Sequence, residues 1–130
     1  MEKQIKQLFG VVPTIPKEYV LASQISQAEA KKYFIEKFRI GKWTRTGVIW
    51  WNLVDGWPQF SDAIVDYYYT KKIAYNYIKN SQQSVCLMFR EPCDGVASLV
   101  AVNELMEQVE LKYTVKALSS GKTVISGNAV

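Results

Sequence analysis

Residues 50–58 read WWNLVDGWP and overlap the end of an apolar run that begins at Gly47. The run is rich in residues that favour strands, and it ends before Asp55 and Gly56, which favour turns. Apolar and polar residues do not alternate cleanly along it, which is typical of a strand buried on both faces of a parallel sheet. The sequence therefore predicts a buried strand over residues 47–54, followed by a loop over residues 55–69.

This stretch carries the residue types of a sugar site. A Trp side chain is a rigid apolar plate on which the C–H face of a sugar can stack, and Asp can bind its hydroxyl groups. No Lys or Arg lies between Arg45 and Lys71, whereas nucleic-acid grooves interleave aromatic and basic residues. The other interpretation is an aromatic core beneath a loop. Packing rather than ligand contact is expected for Trp43, Phe60 and Tyr67–Tyr69.

Side chains alternate along a strand, which separates the two neighbouring tryptophans. Ile49, Trp51 and Leu53 are expected to point one way. Val48, Trp50 and Asn52 are expected to point the other way, with Trp50 packing on apolar helix residues such as Phe34 or Phe38.

Helical periodicity appears in three places. Residues 2–9 form a short helix that stops at Gly10, residues 18–40 a long one that stops at Gly41, and residues 71–80 a third. Ser26 and Glu29 allow two interpretations: they cap the start of the long helix, or the helix begins earlier and Ser26 lies inside it.

Beyond Ser84 the pattern changes to four short β-type runs over residues 84–90, 96–103, 109–118 and 122–127. Four strands begin a β-sandwich without completing one, since about seven are usual. The predicted boundary lies near residues 81–84, which gives one domain over residues 1–82 and a second over residues 83–130.

Composition excludes several classes of protein. The chain has 130 residues and a net charge of +4, with no histidine, which excludes Ser-His-Asp hydrolysis and imidazole zinc sites. The excess of positive charge lies in residues 1–45 and is interpreted as a solvated helix face rather than a nucleic-acid surface. No apolar run is long enough to span a membrane, and no leader is recognisable, so a cytoplasmic location is expected.

Cysteine and carboxylate spacing indicate neither a disulfide framework nor a metal site. Cys86 and Cys93 allow two interpretations: they pair with each other, or both are free, buried thiols, which is the commoner state in a cytosolic protein. Asp55, Asp62 and Asp66 do not have the spacing of a calcium loop. No cofactor or metal is indicated.

Taken together, the residues resemble a known family. The resemblance is carried strongly over residues 20–80 by Ser23-Gln24, Gln27-Ala28-Glu29-Ala30, Glu36, Arg39, Trp43, Gly47, Trp51-Asn52-Leu53, Asp55, Trp57-Pro58, Ser61, Asp66-Tyr67-Tyr68, Lys72 and Ala74-Tyr75. These residues are similar to the closing part of the catalytic barrel in glycoside hydrolase family 2, and most similar to its β-mannosidase-like branch.

The resemblance implies an α+β chain: the closing β/α segment of a (β/α)₈ TIM barrel, followed by a partial immunoglobulin-like β-sandwich. Residues 1–82 would supply helix seven, strand eight and helix eight of the barrel. Barrel active sites lie at the carboxyl ends of the strands. By resemblance, Trp51 floors the subsite for the sugar to be cleaved, and Asp55 and Trp57 border it.

The resemblance also implies what is missing. The family's acid/base and nucleophilic glutamates precede helix seven, and neither Glu2 nor Glu18 has the flanking residues of the nucleophile motif. The expected function is therefore that of a C-terminal fragment of a retaining, β-mannosidase-like glycosidase, itself inactive. Its expected partners are a β-linked sugar and the remainder of the enzyme, with self-association when it is alone. The alternative is a non-catalytic carbohydrate-binding or interaction module.

Overall fold

The computed structural model describes residues 1–60 and 62–130. Within them the chain is an α+β fold in which three helices precede four strands. In chain order these are α1 (Glu2–Phe9), α2 (Pro16–Ile40), α3 (Ile73–Ser81), β1 (Val85–Phe89), β2 (Leu99–Asn103), β3 (Leu111–Lys116) and β4 (Thr123–Ala129). All three predicted helices and all four predicted strands of the second half are confirmed, with ends that differ by a few residues.

The long helix α2 begins earlier than its apolar pattern suggests. Pro16 stands in its first turn, where a missing N–H costs nothing, and Glu18 follows, where a negative charge is favourable. Ser26 therefore lies inside the helix, so the second of the two interpretations is correct. Its hydroxyl is buried without a hydrogen-bond partner among the described residues. Helix α1 ends at Gly10, whose φ of 76° is the left-handed conformation that glycine tolerates.

The core lies between α2 and α3 and is closed by the segment that precedes α3. We call its six buried members the core cluster: Ala28, Ile35, Ile64, Val65, Ala74 and Ile78.

The predicted strand over residues 47–54 is not formed. Among the described residues, backbone hydrogen bonds from other segments reach only its end: Ile64 N–H donates to the carbonyl of Asn52 (3.2 Å), and Val65 N–H donates to that of Leu53 (3.0 Å). Val54 and Val65 form one isolated parallel bridge. A strand inside a barrel is paired along both edges, and no described segment forms a ladder with residues 47–51. The barrel segment implied by the resemblance is thus not shown by this structure.

The side chains of residues 48–54 nevertheless alternate as a strand would. Val48, Trp50 and Val54 pack on the core cluster, and we call them the packed row. The exposed row consists of Ile49, Trp51 and Leu53. The predicted separation of Trp50 from Trp51 is therefore confirmed, because alternation needs only an extended backbone and not a complete ladder.

The second half contains two separate antiparallel pairs, β1 with β2 and β3 with β4. The immunoglobulin-like arrangement is not shown, and the boundary between residues 82 and 83 stays a prediction. Arg39 of α2 joins the two halves, because its guanidinium donates to the carbonyls of Ser81 and Gln83 and pairs with Glu104 at 3.0 Å. Among the described helices, none combines the length and the apolar character needed to cross a membrane.

Candidate functional site

The two tryptophans expected at a sugar site are both open to solvent. The Trp51 side chain is 76% exposed and that of Trp57 is 63% exposed. Trp51 belongs to the exposed row, and Trp57 follows the Asp55-Gly56 turn. Both indoles are therefore accessible as stacking surfaces.

Other aromatic residues of this region are exposed as well, which corrects one expectation. Packing was expected for Trp43, Phe60 and Tyr67–Tyr69, yet Trp43 is 89% exposed and Phe60 fully so. Tyr67 and Tyr68 contact each other edge to face, with ring centroids 5.4 Å apart. A loop can bury aromatic rings only against a neighbouring layer, and the helices cover just the packed row. Ser61, part of the resembling motif, lies outside the described residues.

Asp55 differs from the two tryptophans because its carboxylate is buried. One carboxylate oxygen lies 3.0 Å from the ammonium nitrogen of Lys72, with the Asp55 side chain 0% and the Lys72 side chain 15% exposed. The backbone N–H of Asp55 donates to the carbonyl of Val65 (3.1 Å). The carboxylate thus faces the protein, whereas Trp51 and Trp57, on either side of it in the sequence, face solvent.

Lys31 of α2 contacts the two neighbouring tryptophans, Trp50 and Trp51. Its ammonium group donates to the carbonyl oxygen of Trp51 (2.6 Å) and lies 5.0 Å from the centre of the Trp50 ring. Burial lowers the pKa of Lys31, and the negative charge of Asp62 partly offsets that effect. Phe34 and Phe38, expected as packing partners of Trp50, contact each other edge to face.

The Asp66 carboxylate, like that of Asp55, has partners within the protein. Asp66 accepts hydrogen bonds from the backbone N–H groups of Tyr68 (2.9 Å) and Thr70 (2.8 Å), which shapes the turn before α3. In the described part of the chain, no three Cys, Asp or Glu side chains are grouped so that they could hold a metal ion. Cys86 and Cys93 are free, but neither is buried: Cys86 is half-buried and Cys93 is exposed.

Two grooves in the structure do not coincide with these residues. One, of about 260 Å³, lies between the end of α2 and the residues after β1, and includes Lys37 and Glu91. The other, of about 420 Å³, lies between α2 and the start of β1. Neither is lined by Trp51, Asp55 or Trp57. Trp51 and Trp57 thus lie on an open surface, whereas a sugar pocket is usually enclosed.

Sequence reasoning singled out Asp55 but missed its partner. The sequence shows only that no basic residue lies between Arg45 and Lys71, so the cation that a buried carboxylate needs had to come from outside that range. The nearest basic residues on either side are Arg45, before Asp55, and Lys71 and Lys72, after it. The structure pairs Asp55 with Lys72.

Comparison with known proteins finds similarity among solved structures. No family model and no curated protein matches the chain. A solved structure, the β-D-mannosidase from Dictyoglomus thermophilum, matches 98% of this chain with a TM-score of 0.76 and 27% sequence identity. The match covers 16% of that enzyme's chain. The fold is therefore similar to that of a segment of a glycosidase, namely this β-mannosidase.

Proposed function

We propose that this chain is the C-terminal part of a β-mannosidase-like glycosidase and supplies one wall of its sugar-binding site. The observation that carries the proposal is the match of nearly the whole chain, at a TM-score of 0.76, to a segment of a β-mannosidase. The motif around Trp51 adds separate support, because it depends on residue types and their order rather than on the path of the backbone.

Within this proposal, Trp51 and Trp57 contact the sugar and Asp55 borders the site. Indole plates bind the apolar face of a pyranoside, and their exposure leaves that face accessible. The chemistry is retaining hydrolysis by a nucleophile and an acid/base about 5–5.5 Å apart. Neither role is assigned to any residue of this chain, so both carboxyl groups would come from elsewhere in the enzyme.

The first test concerns the 130-residue chain by itself. We expect no hydrolysis of aryl β-mannoside, β-galactoside or β-glucuronide, because both carboxyl groups of the mechanism are missing. Turnover that is abolished by Asp55→Asn would contradict this assignment of roles.

The decisive test is a chimera in which this chain replaces the matching segment of the Dictyoglomus β-mannosidase. We expect the chimera to hydrolyse aryl β-mannoside, with Trp51→Ala reducing the rate strongly and Trp43→Ala serving as a matched control. A chimera that is folded and monodisperse but inactive would count against the proposal.

The second candidate is a free-standing carbohydrate-binding module. It is favoured by one observation, the exposure of Trp51 and Trp57 in the chain alone. Titration of the chain with β-mannobiose, followed by NMR, separates the two. Saturable binding that is lost in Trp51→Ala supports a module, whereas the fragment proposal expects no saturation, since a single wall does not enclose the sugar.

A further inference from the structure

We propose that Lys72 is a positioning residue: its ammonium group holds the buried Asp55 carboxylate and thereby fixes how Trp51 and Trp57 are presented to the sugar. This inference rests on the proposed function for its consequence in catalysis. Its structural part, the control of the two indoles by a buried ion pair, stands on contacts within the chain.

The acidic member of the ion pair is the more deeply buried of the two. The Asp55 carboxylate has no solvent exposure and lies 3.0 Å from the Lys72 ammonium nitrogen. A charge removed from water is retained only with compensating partners. The Lys72 ammonium group is such a partner, and the ion pair contributes to holding the backbone at Asp55 in place.

Both residues of the pair are also anchored to the same core segment. Lys72 N–H donates to the carbonyl of Ile64 (2.9 Å), and Asp55 N–H donates to that of Val65 (3.1 Å). Ile64 and Val65 belong to the core cluster. The ion pair thus links the backbone at Asp55 to the start of α3. Both of its residues are also hydrogen-bonded to the buried segment that contains Ile64 and Val65.

Asp55 lies between the two exposed indoles along the chain, four residues after Trp51 and two before Trp57. Trp51 has a second attachment, because its carbonyl accepts a hydrogen bond from Lys31 (2.6 Å). Loss of the ion pair should therefore displace Trp57 more than Trp51.

The chain offers a matched control in the adjacent residue. Lys71 is exposed, and its ammonium nitrogen lies 4.6 Å from the centre of the Tyr75 ring. Lys71→Met removes the same charge one residue away without touching the buried pair. Trp50, on the core cluster, and Trp43, in the turn after α2, serve as internal references.

The test uses the full chain labelled with 5-fluorotryptophan, whose four ¹⁹F resonances are assigned by single Trp→Phe substitutions. In Lys72→Met we expect the Trp57 resonance to shift and broaden most and that of Trp51 less, while those of Trp50 and Trp43 stay in place. Lys71→Met should leave all four unchanged. Four unchanged resonances in Lys72→Met, or equal changes in Lys71→Met, would overturn the inference.

A second variant keeps the test decisive if Lys72→Met does not fold, in which case all four resonances would collapse together. Asp55→Asn combined with Lys72→Met removes both charges and leaves no unpaired ion in the interior. The same selective shift of Trp57 is expected there. A folded double variant with an unperturbed Trp57 resonance would refute the positioning role.

The catalytic consequence is measured in the chimera with the Dictyoglomus enzyme. Because small misplacements of binding groups are costly, Lys72→Met should lower kcat/KM for aryl β-mannoside by about 10- to 100-fold, and Lys71→Met should not. If the chimera with the unsubstituted chain is inactive, the proposed function fails while the ¹⁹F result still decides the role of Lys72. If it is active and Lys72→Met leaves kcat/KM unchanged, the positioning role fails alone.

Discussion

The packed row and the exposed row come from the same short stretch, residues 48–54, yet they have opposite surroundings. Val48, Trp50 and Val54 lie against the core cluster, whereas Ile49 is 96% exposed and Trp51 and Leu53 are exposed with it. Hydrophobicity does not separate the rows, since each contains a tryptophan and branched aliphatic residues. What separates them is the presence of a packing layer, because α2 and α3 cover one side only.

This difference separates the side of the stretch that is packed from the side that is open to solvent. A run of large exposed apolar residues is typical of an interaction or ligand-binding surface. On the packed side, the same backbone contributes to an ordinary core. Under the proposed function, the exposed row is a surface that faces a sugar and the rest of an enzyme.

The largest expected effect comes from the same substitution made in the core and on the exposed row. Ile35 is 2% exposed, and Ile35→Ala should lower the free energy of unfolding by about 3 kcal/mol, through lost burial and the cavity that remains. Ile49→Ala should change it by less than about 0.5 kcal/mol. Urea denaturation monitored by circular dichroism measures both. Similar losses in the two variants would mean that the rows do not differ in burial.

The neighbouring tryptophans provide a more demanding comparison. Replacing a fully buried tryptophan by alanine lowers the free energy of unfolding by about 3–5 kcal/mol. Trp50 is half-buried, so Trp50→Ala should cost about 2 kcal/mol on the same scale. Trp51→Ala should cost less than about 0.5 kcal/mol, because its ring is exposed and its contact with Lys31 involves the carbonyl. Urea denaturation again measures the free energy of unfolding of both variants. A greater loss of stability in Trp51→Ala than in Trp50→Ala would mean that the assignment of residues 48–54 to the two rows is wrong by one residue.

A smaller effect is expected in self-association of the isolated chain. Its exposed apolar residues should favour association, so sedimentation velocity should show species larger than the monomer as concentration rises. Phe60→Lys should raise the dissociation constant about tenfold, equivalent to about 1.4 kcal/mol. Leu118→Lys is the control, since Leu118 is also fully exposed but lies near the β3–β4 turn. A monodisperse monomer at high concentration would contradict this prediction.

Local signals predicted most of the fold. Gly10 and Gly41 ended helices where expected, and the four β-type runs became β1 to β4 because adjacent segments could pair with each other. The strand over residues 47–54 could not be predicted correctly in the same way. Its apolar content is that of a buried strand, but a ladder depends on segments distant in sequence, and none of those described pairs with its first half.

The candidate site was predictable only in part. Trp51 and Trp57 are candidates from the family resemblance, and the structure shows that both are exposed. The alternation of Trp50 and Trp51 followed from strand geometry. The burial of Asp55 was not foreseen, because it depends on Lys72, seventeen residues away in sequence. The exposure of Trp43 and Phe60 was also missed, since residue type alone indicates packing for both.

The most direct measurement of the central claim is kcat/KM for aryl β-mannoside in the chimera carrying Trp50→Ala or Trp51→Ala, together with the melting temperature of each variant. If the exposed row faces the sugar, Trp51→Ala should lower kcat/KM by at least about tenfold with little change in melting temperature, since a stacking plate is lost. Trp50→Ala should lower the melting temperature but leave kcat/KM unchanged when it is measured below that temperature. The reverse pattern would contradict the proposed function and would remove Trp51, Asp55 and Trp57 from the sugar site.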